Sequence, residues 1–274
     1  MIPTHGSDKI HKKGIIVHHL EQLNEYDFTT PHRHDYFEFF YFKKGGGLHT
    51  VDFKEFEIHD NSVHIVAPGQ VHQMQRALDS EGYVVLFELT ALNPPSAIES
   101  FLFEHICMSA EELNPTFRFE VNLKQPLNER IRHVFESYKR AKPLDQLRLM
   151  NEMQLFCISC MEHAGEGGKP VESAYLSFRR LLRTHFKINK KVKDYAEKMN
   201  ITERTLSDLV KQNSGKSVSE VIYTQIVMEA KRLLRTGITI KESAYALNFE
   251  DPGHFSKFFK NKTGMSPSDF QNHT

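Results

Sequence analysis

Residues 192–211 read VKDYAEKMNITERTLSDLVK, and residues 240–260 read IKESAYALNFEDPGHFSKFFK. The two stretches have one pattern. Val192, Tyr195, Ala196 and Met199 recur as Ile240, Ser243, Ala244 and Leu247, an offset of 48 residues. After Asn200-Ile201 and Asn248-Phe249 the offset becomes 49, with Leu206, Leu209 and Val210 answered by Phe255, Phe258 and Phe259. Apolar residues at i, i+3, i+4 and i+7 give each helix one buried stripe, and the short turns make consecutive helices pack together. The reading is a helix-turn-helix written twice.

The opposite stripe of each second helix carries Arg204, Thr205, Ser207, Asp208 and Lys211 in the first copy. In the second it carries Gly253, His254, Ser256, Lys257 and Lys260. Small, hydroxyl and cationic side chains on one face suit a helix laid in a DNA major groove. Asp208 is the exception: it could accept from a cytosine amino group, but an i, i+4 ion pair with Arg204 is the expected explanation. Thr202 and Asp251-Pro252 are strong helix starts, Gly264 a helix stop, and Ser266-Pro267 the opening of a last short helix. A helix from about Val218 to Arg235 would separate the motifs by about 27 Å at 1.5 Å per residue, near the spacing of about 34 Å between successive major grooves.

This segment resembles the DNA-binding domain of the AraC/XylS family of bacterial transcription regulators. The residues carrying the likeness are Ala196, Leu206, Ala230, Leu233, Leu234, Ile240, Ala244, Phe249, Phe255, Ser256, Phe258, Phe259, Lys260, Gly264 and Pro267. Asp208 and Tyr245 depart from the usual pattern. The resemblance implies a double-stranded DNA partner, a small-molecule effector, a homodimer and contact with RNA polymerase.

A net charge of zero conceals a division. Residues 171–274 carry 18 Lys/Arg against 11 Asp/Glu, whereas residues 1–170 carry 17 against 24. The basic half fits a polyanion and the acidic half does not. Three cysteines build no disulfide framework, and Cys157 and Cys160, in an apolar helical stretch, read as structural thiols. No signal peptide or long apolar run is seen, so a soluble cytoplasmic protein is expected.

The N-terminal half changes texture. Short runs rich in β-formers lie at Ile15–Leu20, Phe37–Phe42, Gly47–Ile58, Val63–Val66, Val71–Gln75 and Tyr83–Leu89. Many short strands with turn residues between them indicate a barrel or sandwich. Within them stand His32, His34, Glu38 and Gly45, then Pro68, Gly69 and His72. This is similar to the two cupin motifs, although Arg76 replaces a common asparagine. The likeness implies a pocket formed by His32, His34, Tyr36, Glu38 and His72. The pocket either binds an effector without metal or holds a divalent ion such as Zn, Fe, Mn or Ni on the three imidazoles and the carboxylate. His18, His19, His49, His59 and His64 fall outside the motif and read as surface or packing residues, and Gly82 reads as a turn.

From residue 96 the pattern is helical: Ile98–Met108, Gln125–Arg140 and Asp145–His163, with a strand at Phe117–Val121. The last helix carries Leu147, Met150, Met153, Gln154, Cys157, Ile158 and Met161, wide enough both to bury against the barrel and to pair with its twin. The expected fold is therefore α+β. It comprises a cupin-like sensor barrel (1–95), a helical dimerisation element (96–164), a glycine-rich linker (165–172) and an all-α tandem helix-turn-helix domain (173–274). The expected function is effector-sensing transcriptional regulation, not catalysis. The alternatives are a metal-dependent cupin enzyme fused to a DNA-binding tail and an effector-independent regulator.

Overall fold

The hydrophobic run Phe37–Lys44 (β2) forms the middle of a five-stranded sheet because all six residues from Phe37 to Phe42 are buried, as a strand covered on both faces requires. The computed structural model describes residues 14–20, 29–107, 114–120, 124–140, 142–163, 173–235 and 237–272. The readings of 1–13 as a loose segment and 165–172 as a linker fall outside them. The other strands are Ile15–His19 (β1), Gly47–Val51 (β3), Lys54–Glu57 (β4), Ser62–Val66 (β5), His72–Arg76 (β6), Glu81–Phe87 (β7) and Thr116–Arg118 (β8). They fall into two sheets, one ordered β1-β7-β2-β5-β8 and the other β4-β3-β6, with antiparallel pairing throughout. A bridge between His32 and His72 brings the segment before β2 alongside the smaller sheet.

Alternation along β2 separates two environments. Phe40 and Phe42 join Val51, Phe56, Ile58, Met74 and Val84 in the core between the sheets. Phe39 and Tyr41 face outward, against Phe156 at 6.4 and 6.3 Å between ring centroids. Phe156 belongs to the helix Pro143–His163. Among the described residues, the helices of this half are Leu89–Leu92 (α1), Ser96–Cys107 (α2), Lys124–Arg140 (α3) and Pro143–His163 (α4).

Two expectations need correction. The run 47–58 is a hairpin, not one strand: Asp52 and Phe53 have φ of 44° and 76°, the left-handed pair that a tight two-residue turn requires. Its anchor is the buried Asp52 carboxylate, which accepts from Gln70 Nε2 at 3.1 Å and from the Val71 amide at 3.2 Å. Gly82 is not in a turn. It lies inside β7 opposite Phe42, where any Cβ would collide with the Tyr41 carbonyl oxygen.

The chain divides into two compact units, Pro3–Lys169 and Pro170–Thr274. The second consists of Ser173–His185 (α5), Val192–Lys198 (α6), Glu203–Ser214 (α7), Val218–Arg235 (α8), Ile240–Ala246 (α9), Pro252–Thr263 (α10) and Pro267–Asn272 (α11). One core joins them: Phe178 of α5 and Tyr195, Leu206 and Val210 of the first motif meet Ile226, Ala230 and Leu234 of α8 and Ala244, Phe255 and Phe259 of the second. No helix among the described residues is long and apolar enough to cross a membrane.

Candidate functional site

The repeat read in the sequence recurs in three dimensions down to single hydrogen bonds. Asn200 and Asn248 both turn left-handed, with φ of 54° and 53°. Behind each, the next amide donates back to the first helix, Ile201 to the Ala196 carbonyl at 3.1 Å and Phe249 to the Ala244 carbonyl at 3.0 Å. Thr202 Oγ1 accepts from the Thr205 amide and Asp251 Oδ1 from the His254 amide, so α7 and α10 start where the sequence placed their caps. Gly215 and Gly264 end them, both left-handed at φ of 70° and 84°.

On α7, Arg204, Thr205, Ser207, Asp208 and Lys211 are exposed; on α10, Gly253, His254, Lys257 and Lys260 are exposed and Ser256 is half-buried. Each motif thus presents its polar stripe to solvent while Leu206, Leu209 and Val210, or Phe255 and Phe259, turn inward. Two details differ from expectation. Arg204 and Asp208 form no ion pair with each other among the described contacts, which leaves both groups facing water. Ser207 and Ser256 donate their hydroxyls to the carbonyls of Glu203 and Pro252, at 2.7 and 2.8 Å, so each keeps only acceptor capacity for another molecule. Lys190 was not singled out by its sequence context. Its Nζ donates to the Asn248 carbonyl at 2.8 Å and lies 3.7 Å from the Phe249 ring centroid, tying the chain before α6 to the turn of the second motif.

The second site lies between the two sheets. His34, Glu38 and His72 are brought together, buried, by the segment before β2, β2 itself and β6. His34 Nε2 and His72 Nε2 are 3.2 Å apart, and Glu38 Oε2 is 3.2 Å from the first and 3.4 Å from the second. Side-chain exposure is 0% for both imidazoles and 2% for the carboxylate, so the triangle is sealed from solvent. His34 Nδ1 lies 2.7 Å from the Tyr36 carbonyl oxygen. A carbonyl can only accept, so that nitrogen carries the proton, and the Nε2 of a neutral His34 is a bare lone pair aimed at the carboxylate. Two acceptors at 3.2 Å repel unless a positive charge lies between them.

Glu38 Oε2 accepts no well-directed hydrogen bond in this buried place. Such a carboxylate calls for a cation. Ligands placed tetrahedrally at about 2.0–2.1 Å from one ion stand about 3.3–3.4 Å apart, which is the edge of this triangle. The donor set, two imidazoles and a carboxylate, fits a divalent metal.

His32, grouped with these ligands in the motif, is not part of the triangle. Its Nδ1 lies 2.9 Å from the Thr30 carbonyl oxygen, and its ring packs on that of His72 at 4.2 Å between centroids. Tyr36 is buried and stacks on His34 at 4.3 Å.

His49 and His64 are the residues that sequence reasoning missed. They extend the centre: His72 Nδ1 is 3.2 Å from His49 Nε2, and His49 Nδ1 is 3.1 Å from His64 Nδ1. Burial holds His49 well below the usual imidazole pKa and His64 down at about 3, so both are neutral at physiological pH. By contrast Cys157 and Cys160 are free, buried thiols, and burial pushes Cys157 up to about 12, which makes them packing groups, not nucleophiles.

Comparison with known proteins finds a family match in each half of the chain. Residues 14–156, more than half of the chain, match the AraC-like ligand binding domain, and residues 195–273 match a helix-turn-helix domain. The HTH-type transcriptional regulator YfiF of Bacillus subtilis is 23% identical over 269 residues, covering 93% of this chain and 82% of that protein. The transcriptional activator RhaR of Yersinia pseudotuberculosis is 34% identical over 79 residues, a span of only 27% of its length. Among solved structures, ToxT of Vibrio cholerae O395 is similar over 94% of this chain and 97% of its own, with 15% identity and a TM-score of 0.44. With one match spanning most of the N-terminal unit and another spanning nearly all of both helix-turn-helix motifs, the chain belongs to the AraC/XylS family, the sequence-specific DNA-binding transcriptional regulators whose N-terminal domain senses a small-molecule effector.

Proposed function

We propose that this regulator reads DNA through the polar stripes of α7 and α10 and that its effector-sensing unit is organised around a divalent cation held by His34, Glu38 and His72. The observation that carries the cation is the sealed triangle with edges of 3.2–3.4 Å and a buried carboxylate at one corner. The bound ion would supply the positive charge that Glu38 lacks and would join β2, β6 and the segment before β2 into one rigid wall. A pocket reached only when that wall opens is then sensitive to any effector that prefers one of the two arrangements, a population shift between them. Arg204, Thr205, Ser207, Asp208 and Lys211 face one major groove. Gly253, His254, Ser256, Lys257 and Lys260 face the next. His32 and Tyr36 complete the effector wall by packing on His72 and His34.

The same reading makes the protein a cytoplasmic regulator, not an enzyme: three ligands leave a tetrahedral ion one open position, but their side chains are only 0–2% exposed, so no substrate reaches that position from solvent. It acts as a homodimer through α4 and meets RNA polymerase at the promoter. The deciding measurement is elemental analysis of purified protein together with a reporter assay. About one divalent metal per chain is expected, lost in Glu38→Gln and in the double variant His34→Ala/His72→Ala. The double variant should also lose effector response while binding operator DNA as before. A chain that takes up no metal from a zinc-supplemented buffer overturns the cation. A double variant that responds normally moves the signal elsewhere. Stoichiometric iron with turnover of an organic substrate would favour the enzyme.

A further inference from the structure

With one proton on each ring, the row His34, His72, His49 and His64 has a single order of donors and acceptors, chosen by the Tyr36 carbonyl, and it leaves the Glu38 carboxylate facing the bare Nε2 of His34. His34 carries its proton on Nδ1 because that atom faces a carbonyl 2.7 Å away. The 3.2 Å contact between His34 Nε2 and His72 Nε2 then needs the proton on His72 Nε2. His72 Nδ1 is thereby bare, so at 3.2 Å His49 donates through Nε2. His49 Nδ1 is bare in turn, so at 3.1 Å His64 donates through Nδ1. The row ends at His64 Nε2, a buried lone pair that meets no hydrogen-bond partner. Each proton position follows from the one before it.

A cation at the triangle reverses this order. To ligate through Nε2, His72 must give up the proton there and carry one on Nδ1. That proton comes across the contact from His49 Nε2, His49 recovers one at Nδ1 from His64, and His64 takes up one at Nε2. One proton is released to solvent from the triangle, one is taken up from solvent at His64 Nε2, and the number of protons on each ring is unchanged. His34 keeps its tautomer because its Nε2 is bare already.

We infer that His72, His49 and His64 form a tautomer relay, in which His49 is the positioning residue that holds His72 ready as a ligand and His64, on β5, records whether the triangle is loaded. The inference rests on the cation proposed above and adds to it a path from the effector site to β5, a strand that supplies no ligand. The path is compact: His64 is buried against Phe42, with ring centroids 5.2 Å apart, and its backbone pairs with Thr116 of β8. Loading therefore changes the hydrogen-bonding character of an atom on a strand that supplies no ligand.

The test is long-range proton–nitrogen NMR of the full chain labelled with [15N]histidine, first stripped with chelator and then titrated with zinc. The stripped protein should show His34 and His64 protonated at Nδ1, and His72 and His49 at Nε2. One equivalent of zinc should invert His72, His49 and His64 and leave His34 unchanged. His49→Phe should weaken zinc about ten- to a hundredfold, the usual cost of losing a group that orients a metal-bound imidazole. His49→Gln, whose amide oxygen can accept from His72 Nδ1, should restore most of that affinity. Zinc binding with His49 and His64 unchanged would overturn the relay and leave the cation site standing. A stripped protein that already shows His72 protonated at Nδ1 also overturns the relay. A chain that binds no zinc overturns both. The spectra need only the wild-type chain, so they decide the question even where a variant fails to fold.

Discussion

His64 shows how one buried side chain sets a pH limit. Its pKa falls from the usual 6.5 to about 3, with burial the larger cause and His59 adding to it. The unfolded chain therefore binds a proton near pH 6.5 that the folded chain refuses until about pH 3. Stability from this group is complete above pH 6.5 and is lost as pH falls through that window, by at most ~1.4 kcal/mol per pH unit. Thermal melts should accordingly drop steeply between about pH 6.5 and about pH 4, and His64→Phe should flatten that dependence even if it lowers the melting temperature at about pH 7. A variant with an unchanged slope would place the acid sensitivity elsewhere.

The recognition stripes invite a second residue-level prediction. Lys257→Ala and Arg204→Ala should weaken operator binding by about 1–3 kcal/mol if they reach base edges, with random DNA less affected. Ser256→Ala should cost less than Lys257→Ala, because the serine hydroxyl already donates to Pro252. Anisotropy titrations on operator and scrambled duplexes separate these outcomes, and equal losses on both duplexes would assign the side chains to phosphates.

At the scale of elements, α4 repays separate treatment of its faces. Leu149, Met153, Phe156, Cys157 and Cys160 are buried against the rest of their unit. Leu144, Leu147, Leu155 and Ile158 lie on another face, exposed by 71%, 54%, 43% and 40%. The broad apolar surface seen in the sequence is thus two surfaces. Met153 and Cys157 belong to the inner one, and the outer one is an apolar stripe such as monomers seldom leave in water. If a second copy covers it, Leu147→Glu with Ile158→Glu should convert a dimer to a monomer in light scattering at micromolar concentration, since burying two charges costs several kcal/mol. Met150→Glu is a poorer probe, because Met150 is half-buried within its own chain. A wild type that is monomeric at those concentrations would end the dimer proposal.

Periodicity made the helices legible almost to the residue: α8 runs over Val218–Arg235, the range read from the sequence. The strands were legible in place but not in number, because Asp52-Phe53 has no glycine to announce a left-handed turn. What holds that turn is a carboxylate bonded to Gln70 and Val71, 18 and 19 residues away. His49 and His64 were missed for the same reason. Each is a lone histidine in its own strand, and only the pairing of β3 with β6 and the facing of the two sheets bring them to His72. Short-range motifs found His34, Glu38 and His72; long-range pairing alone adds His49 and His64 to the row.

The whole molecule divides its chemistry as it divides its charge. The unit 170–274 holds the basic half of the chain and has its own core, from Phe178 and Tyr195 through Ala230 to Phe259. Every residue of that core comes from the unit itself, so residues 170–274 expressed alone should fold and melt cooperatively. They should also bind duplex DNA, with affinity falling linearly in log–log plots against salt as Lys and Arg release condensed counterions. Two recognition helices set by one α8 imply a site of two half-sites about one helical turn, roughly 10–10.5 base pairs, apart. Inserting about five base pairs between them turns the second half-site to the opposite face of the duplex and should reduce affinity to that of a single half-site. Inserting a full turn restores the face but not the distance, so it should not rescue binding. Lys190→Ala is the internal control for rigidity: loss of its bonds to Asn248 and Phe249 should soften the penalty for small spacing changes while leaving single half-site binding unchanged. A fragment that folds but binds DNA without salt dependence would remove the recognition helices from the account altogether.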